Sequence, residues 1–164
     1  MIIGKVETNK VLENKVKIRF QDCDPFNHLN NARYLSYFLN SREDAIIEAY
    51  DLDVYRHARE TGKGWVVATN QISYISPAMT METVTIQNQL IRYTDKSITV
   101  EFRMYDENKE KLKAVMWSKY PYFDLKRQRP ALHSENFMEL FETALNPVEE
   151  VIFEERVKTL TQRR

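Results

Sequence analysis

This chain is short of the residues that bend a backbone, bridge it or drive it into a membrane. Its 164 residues include three glycines, five prolines, one cysteine and three histidines, and 24 basic side chains balance 24 acidic ones. A single cysteine excludes a disulfide scaffold and makes a reducing compartment the expectation. So few glycines leave little to cradle a phosphate, and no G-x-x-x-x-G-K-[ST] run is present. Zero net charge supplies no field to draw in a polyanion, so nucleic acid is not expected as a partner. No apolar run approaches the ~18 residues of a membrane span, and the opening MIIGKVETNK has too short an apolar stretch for a signal peptide. The expectation is a soluble, cytoplasmic chain with no membrane contact. Its length suits a single domain, and nine tyrosines with eight phenylalanines suit an aromatic core.

What is there centres on Asp22 to Ala49, DCDPFNHLNNARYLSYFLNSREDAIIEA. Two acids and a histidine stand in a loop that runs straight into a long helix. Asn30 and Asn31 occupy the N-cap region, where a short amide oxygen accepts from orphan N–H groups. No Gly or Pro follows through Tyr50, and Tyr34, Leu35, Phe38, Leu39, Ala45, Ile46 and Ala49 recur at helical spacing. The start of such a helix carries unpaired donors and partial positive charge, directly behind Asp24 and His28. An acid, an imidazole and a polarising helix end suit attack on a carbonyl.

Around this stretch the pattern is that of strands. KVKIRF, Lys15 to Phe20, alternates with Val16, Ile18 and Phe20 on one face. DLDVYRHARETGKG predicts a short helix ended by Gly62 and Gly64. Trp65 to Ile75 predicts a strand stopped at Ser76-Pro77. Thr83 to Arg92, Ser97 to Met104 and Lys111 to Asp124 follow, the last broken late by Pro121, with turn-forming Asp and Asn between them. Short connections imply antiparallel neighbours. One antiparallel sheet with one long apolar helix is best closed by curling the sheet around the helix, an α+β architecture. Beyond a basic linker, LKRQRP, Ser134 opens a helix carrying Phe137, Leu140, Phe141 and Leu145. Asn146-Pro147-Val148-Glu149 predicts another from about Pro147 to Leu160, packed through Val148, Val151 and Ile152. The division expected is residues 1–130 as the main domain and 131–164 as its helical extension.

In the loop, Asp22 and Asp24 share a face if strand geometry persists, and would then raise one another's pKa. The plainer alternative is a turn whose aspartates cap backbone groups. Cys23, flanked by acids, is disfavoured as a thiolate and reads as inert. Asp22, Asp24 and His28 are also a donor set for a hard divalent cation. His57 and His133 stand alone in the sequence, so no second cluster completes such a site, and neither metal nor cofactor is expected. An aspartyl phosphotransferase needs a buried, nearly continuous apolar strand, whereas KVKIRF is half charged.

RFQDCDPFNHLNNARYLSYFLNSRE resembles the signature of the hotdog-fold acyl-CoA thioesterases of the 4-hydroxybenzoyl-CoA thioesterase type. One branch of that family carries D-x-D-x-x-G-H-x-N-N-x-x-Y before an aromatic helix that ends near an Arg. Asp22, Asp24, His28, Asn30, Asn31, Tyr34 and Arg42 match it. NQISYISPA and KSITVEFRMYDENKEKLKAVMWSKYPYFD continue the likeness over roughly residues 13 to 126. The family's glycine before the histidine is Asn27 here, the next residue most able to hold a positive φ. The resemblance implies a hotdog fold, a homodimer or homotetramer with sites between protomers, and an acyl-CoA substrate. It makes Asp24 the nucleophile or general base, with His28 orienting substrate or polarising its carbonyl. The helix N-terminus becomes the oxyanion site, and Asn30, Asn31, Ala32, Tyr34 and Phe38 the substrate contacts. The alternatives are an acyl carrier protein thioester as substrate, or an acyl-binding hotdog protein without turnover; a hydratase uses a different acid–histidine arrangement.

Overall fold

The computed structural model of the chain describes residues 9–162. The reading of MIIGKVETNK falls almost wholly outside that range. The strands are β1 (Leu12–Lys17), β2 (Lys63–Trp65), β3 (Thr69–Tyr74), β4 (Thr83–Tyr93), β5 (Ser97–Asp106), β6 (Leu112–Asp124) and β7 (Arg129–Pro130). The helices are α1 (Tyr34–Tyr50), α2 (Val54–Thr61), α3 (Glu135–Ala144) and α4 (Phe153–Gln162). One antiparallel sheet runs β1-β4-β5-β6-β2, with β3 and β7 also paired to β6. None of these helices is long and apolar enough to cross a membrane.

The alternation in β5 sets the two faces of the sheet. Ile98, Val100, Phe102 and Met104 point inward, as their period of two predicts, and all are buried. α1 lies across this inner face with Phe38 against Phe102, ring centroids 5.4 Å apart. Tyr34, Ala45, Ile46 and Ala49 continue its buried stripe. Each large side chain so buried stabilises by about 1.5–3 kcal/mol relative to exposure. α1 ends where Asp51 turns left-handed at φ 51° and returns its N–H to the Ile46 and Ile47 carbonyls. α2 is capped by the Asp53 carboxylate and stopped at Gly62, φ 69°.

Five expectations from the sequence are corrected. Phe20 does not continue the first strand: β1 ends at Lys17, and Phe20 opens a 3-10 turn (Phe20–Asp22) that leaves it 75% exposed. The run Trp65 to Ile75 is two strands, because four steps from Trp65 to Thr69 face three on β6 from Tyr122 to Lys119, although Val66 and Ala68 still bond the Pro121 and Lys119 carbonyls. β3 does not neighbour β4. It pairs with β6 from Thr69↔Lys119 to Tyr74↔Ala114, and the eight residues 75–82 carry the chain back to the other side of the sheet. Pro121 does not break β6: it sits opposite Ser97 and still accepts a bond through its carbonyl.

The fifth correction concerns the tail. The helix expected from Pro147 begins at Phe153, while Val151 and Ile152 are exposed. Asn146 is held against β4 instead of opening a helix, its N–H on the Leu90 carbonyl and its amide Nδ2 on Gln89 Oε1. β1 reaches only Asn88 on β4, which leaves this edge open for the chain to round. α3 packs Phe137, Leu140 and Phe141 into the inner core. α4 then covers the outer face, with Phe153 on Trp117 and Arg156 bonded twice to the fully buried Glu101.

The two later histidines do not stand alone either. His133 accepts from Trp65 Nε1 (3.0 Å), and His57 meets the Tyr122 hydroxyl (2.8 Å) in one aromatic cluster that ties α2, β2, β6 and α3. Distant sequence positions converge there because β2 pairs with β6 at Tyr122 and β7 pairs with it at Phe123.

Candidate active site

The loop before α1 is a tight turn built on Asp24. Pro25 fixes the second turn position, and the Asn27 N–H returns to the Asp24 carbonyl at 3.1 Å. Asn27 holds φ 62°, the left-handed conformation expected of a residue standing for glycine. The Asp24 N–H then bonds the His28 carbonyl at 2.8 Å, closing the loop. Asp24 Oδ1 accepts from the N–H groups of Phe26 (2.9 Å) and His28 (3.1 Å). Among the described residues Oδ2 takes no hydrogen bond. One oxygen of this half-buried carboxylate is therefore anchored and the other left available.

Asp22 is differently employed. Strand geometry has ended before it, so the two acids do not share a strand face. Its Oδ2 accepts from the Tyr37 hydroxyl at 2.7 Å, and that hydroxyl in turn accepts from the Arg19 N–H. Arg33 stands 3.9 Å from its other oxygen. Burial, and then the Asp22 carboxylate, push the Tyr37 phenol above its usual pKa. Tyr37 was not singled out from the sequence, although its place three residues after Tyr34 was the available signal.

The loop is pinned to the segment between β3 and β4. His28 pairs with Met79 through the backbone, and Leu29 donates to the Ala78 carbonyl. The Ala78 N–H donates to the Tyr34 hydroxyl at 3.2 Å, and the Tyr74 hydroxyl donates to the Asn31 carbonyl at 2.9 Å. Tyr34 and Tyr74 meet edge to face at 5.0 Å. The Tyr34 phenol is raised chiefly by burial, and Asp24 is among the charges close enough to add to this. So Asp24, His28, Asn31 and Tyr34 are brought together.

The helix start differs from expectation in detail. Asn30 caps a 3-10 turn (Asn31–Arg33), its side chain accepting from the Ala32 N–H at 2.9 Å, and α1 begins at Tyr34. The Arg33 N–H bonds the Asn30 carbonyl. The donors of Ala32 and Arg33 are thus engaged. Asn31, the first residue of the turn, keeps an N–H that a helix start leaves without an intrahelical partner. Phe38 is fully buried against Phe102. The apolar cavity along α1 lies further on, between Leu39 and Ile46.

Residues 18–141 match the model of the thioesterase-like superfamily. The chain belongs to that family. It is 29% identical over 86 residues to the long-chain acyl-CoA thioesterase FadM of Escherichia coli, an alignment covering 52% of this chain and 63% of FadM's length. YbaW of Escherichia coli, a probable thioesterase, superposes with a TM-score of 0.70 at 24% identity over 82% of this chain and 99% of that one. A Staphylococcus aureus protein solved in complex with CoA superposes at 0.74 with 12% identity, over 85% and 89% of the two chains. The fold they share with this chain is the hotdog fold.

Proposed function

We propose that the chain hydrolyses acyl-CoA thioesters, with Asp24 as the essential group. The observation that carries this is the split use of the Asp24 carboxylate, Oδ1 fixed by two backbone donors and Oδ2 unengaged. A carboxylate held in that way is oriented without being neutralised. Oδ2 serves either as the nucleophile, giving a mixed anhydride that water then opens, or as the base that takes a proton from attacking water. In both routes the carbonyl oxygen gathers charge, the C–S bond breaks and CoA leaves as the thiolate. The Asn31 N–H at the helix start supports the oxyanion reading better than Ala32, whose donor is occupied. His28 stands beside Asp24 to orient the thioester. The likeness to FadM, a long-chain acyl-CoA thioesterase, supports a fatty acyl group as the substrate.

The working unit in this reading is a dimer. Among the described residues β3 pairs only with β6, so its other edge is open. The exposed side chains of Tyr74, Met79 and Phe26 gather at the same end. A second copy joined there closes the site.

The test is Asp24→Asn, which keeps shape but removes both nucleophile and base. Activity on a fatty acyl-CoA should fall by at least ~10²-fold in kcat, with the melting temperature and KM little changed. His28→Ala should lose less rate. Wild-type turnover by folded Asp24→Asn, or a fully active monomer by light scattering, would overturn the respective parts of this reading.

A further inference from the structure

The cavity along α1 contains polar groups that the fold does not answer. It measures about 290 Å³, and Leu39, Ile46, Val54, Val67 and Ile98 make its walls largely apolar. Arg42 and Tyr120 also line it. Tyr120 is only 8% exposed, yet its hydroxyl has no aligned hydrogen-bond partner among the described residues, although the Ser118 hydroxyl is near enough to favour its charged form. Ser118, a polar neighbour on the same strand, gives its hydroxyl to Asn70 instead. Arg42 donates Nη1 to Asn88 Oδ1 at 2.9 Å, and no carboxylate of the described residues is within ion-pair distance of it. Asn88, 1% exposed and lining a smaller adjoining void of about 30 Å³, leaves its Nδ2 unpaired. Native folds keep few such groups, and each calls for a partner.

The position of these groups suggests what that partner is. Arg42 is eight residues beyond Tyr34, about 12 Å along the helix from the end where Asp24 stands. An extended acyl chain of medium length covers such a distance. Burial lowers the pKa of Arg42, while the Tyr120 and Tyr50 phenols favour its charged form. A cation and a phenol in the wall of an apolar cavity are matched by an oxygen acceptor on an otherwise apolar molecule. Glu43 also borders the cavity, with its carboxylate accepting from the Tyr55 hydroxyl at 2.6 Å. It tempers the attraction for an anion but leaves that for a neutral oxygen intact.

We infer that this cavity receives the distal end of the acyl group, and that Arg42 and Tyr120 hydrogen-bond an oxygen carried there. The substrate class is then a medium-chain acyl thioester with an oxygenated tail, ω-hydroxy or ω-carboxy. This rests on the thioesterase reading for the scissile end, but the cavity can be tested apart from it.

The experiment compares the CoA thioesters of decanoate, ω-hydroxydecanoate and decanedioate on the wild type and on Tyr120→Phe. The wild type should show kcat/KM at least ~10-fold higher for an oxygenated tail, because a site built around hydrogen-bonding groups rejects the analogue that lacks the oxygen. Tyr120→Phe should close that gap. It removes a hydroxyl with no aligned hydrogen bond, so its melting temperature should stay close to that of the wild type. The ratio of the two oxygenated substrates reports how far Glu43 offsets Arg42 for a carboxylate. Calorimetry with free decanoate and ω-hydroxydecanoate separates the two proposals. If no thioester is turned over but ω-hydroxydecanoate binds more tightly through Tyr120, the cavity assignment stands and the hydrolase reading fails. Equal rates and equal binding for plain and oxygenated chains would show that the cavity holds water only, and would overturn the inference. So would a preference that survives Tyr120→Phe.

Discussion

The two faces of the sheet are covered by different physics. The inner face receives α1 and α3 through apolar stripes, and its largest contacts are ring on ring and ring on aliphatic. The outer face receives α4 through a smaller apolar cluster around Phe153 and Trp117, and through a buried charge. Glu101 is fully buried there and accepts from Gln89, Trp117 and both Nε and Nη2 of Arg156. Arg103 lies 3.6 Å from the same carboxylate, and Arg156 also reaches Glu150 at 3.4 Å. An apolar stripe holds a helix wherever the stripe fits. A buried ion pair holds it at one place and fails if either partner is lost. The inner face therefore tolerates substitution by degrees, and the outer face adds to its apolar contacts one buried pair that does not.

The largest effect that bears on this difference is the loss of Arg156. Arg156→Ala takes two charge-assisted bonds from the buried Glu101 and leaves it only Arg103, 3.6 Å away, which should cost up to about 3–5 kcal/mol. Phe102→Ala on the inner face should cost about as much through the cavity it opens. The comparison is sharpened by the repair. Adding Glu101→Gln to Arg156→Ala removes the charge that Arg103 alone must then answer and should recover part of the loss, whereas no single second change refills the Phe102 cavity. Denaturant unfolding of the three variants reads this. An Arg156→Ala loss below ~1 kcal/mol would mean that α4 contributes little.

An intermediate effect is expected from pH, at the cluster that fastens α3. His133 accepts from Trp65 Nε1 through Nε2, and its Nδ1 donates to the Thr94 carbonyl, so the folded protein requires a neutral ring. Burial lowers its pKa against the opposing pull of Thr94 and Asp95. Burial also lowers that of His57, with Glu60 opposing and Lys63 adding to the shift. A histidine whose folded pKa lies below its unfolded one binds fewer protons when folded. Its contribution is complete above the unfolded value of about 6.5 and is lost as pH falls through the folded one. Melting temperature should thus drop from about pH 6.5 downward. His133→Gln, which cannot take up the proton, should flatten part of that drop. A slope unchanged by the substitution would place the acid sensitivity elsewhere.

How much of this was legible follows the same division. α1, its buried face, the inward set of β5 and the turn at Asp24 follow from residues close together in sequence, where period and turn chemistry act. The start of α4 was misread because Asn146, a good cap by its neighbours, is claimed by Gln89 and Leu90 more than fifty residues away. The place of β3 beside β6 was missed for a similar reason: a short connection suggested a neighbour, and the eight residues of 75–82 cross over instead. At the site, Asp24 and His28 stood out because their spacing is local. The Tyr37, Tyr74 and Ala78 contacts that hold them are tertiary. The unanswered groups at Arg42, Asn88 and Tyr120 come from three different elements, and no sequence window contains them.

The smallest effect expected is also the most local. Asn27 sits at φ 62°, where a side chain with a Cβ costs roughly 1–2 kcal/mol and asparagine less than most. Asn27→Gly removes that strain but adds freedom to the unfolded chain, so the two should nearly cancel, to within ~0.5 kcal/mol. Asn27→Ala keeps the strain without asparagine's tolerance and should cost about 1 kcal/mol. The Asn27 backbone also matters to the site. Its N–H bonds the Asp24 carbonyl, and its own carbonyl accepts from the Thr80 N–H and hydroxyl. A shift in φ therefore moves the loop that carries both Asp24 and His28. Glycine should leave hydrolysis near the wild-type rate, while alanine should lower kcat by more than its small loss of stability would suggest. If alanine and glycine behave alike in both melting and rate, the left-handed turn is not what positions the carboxylate.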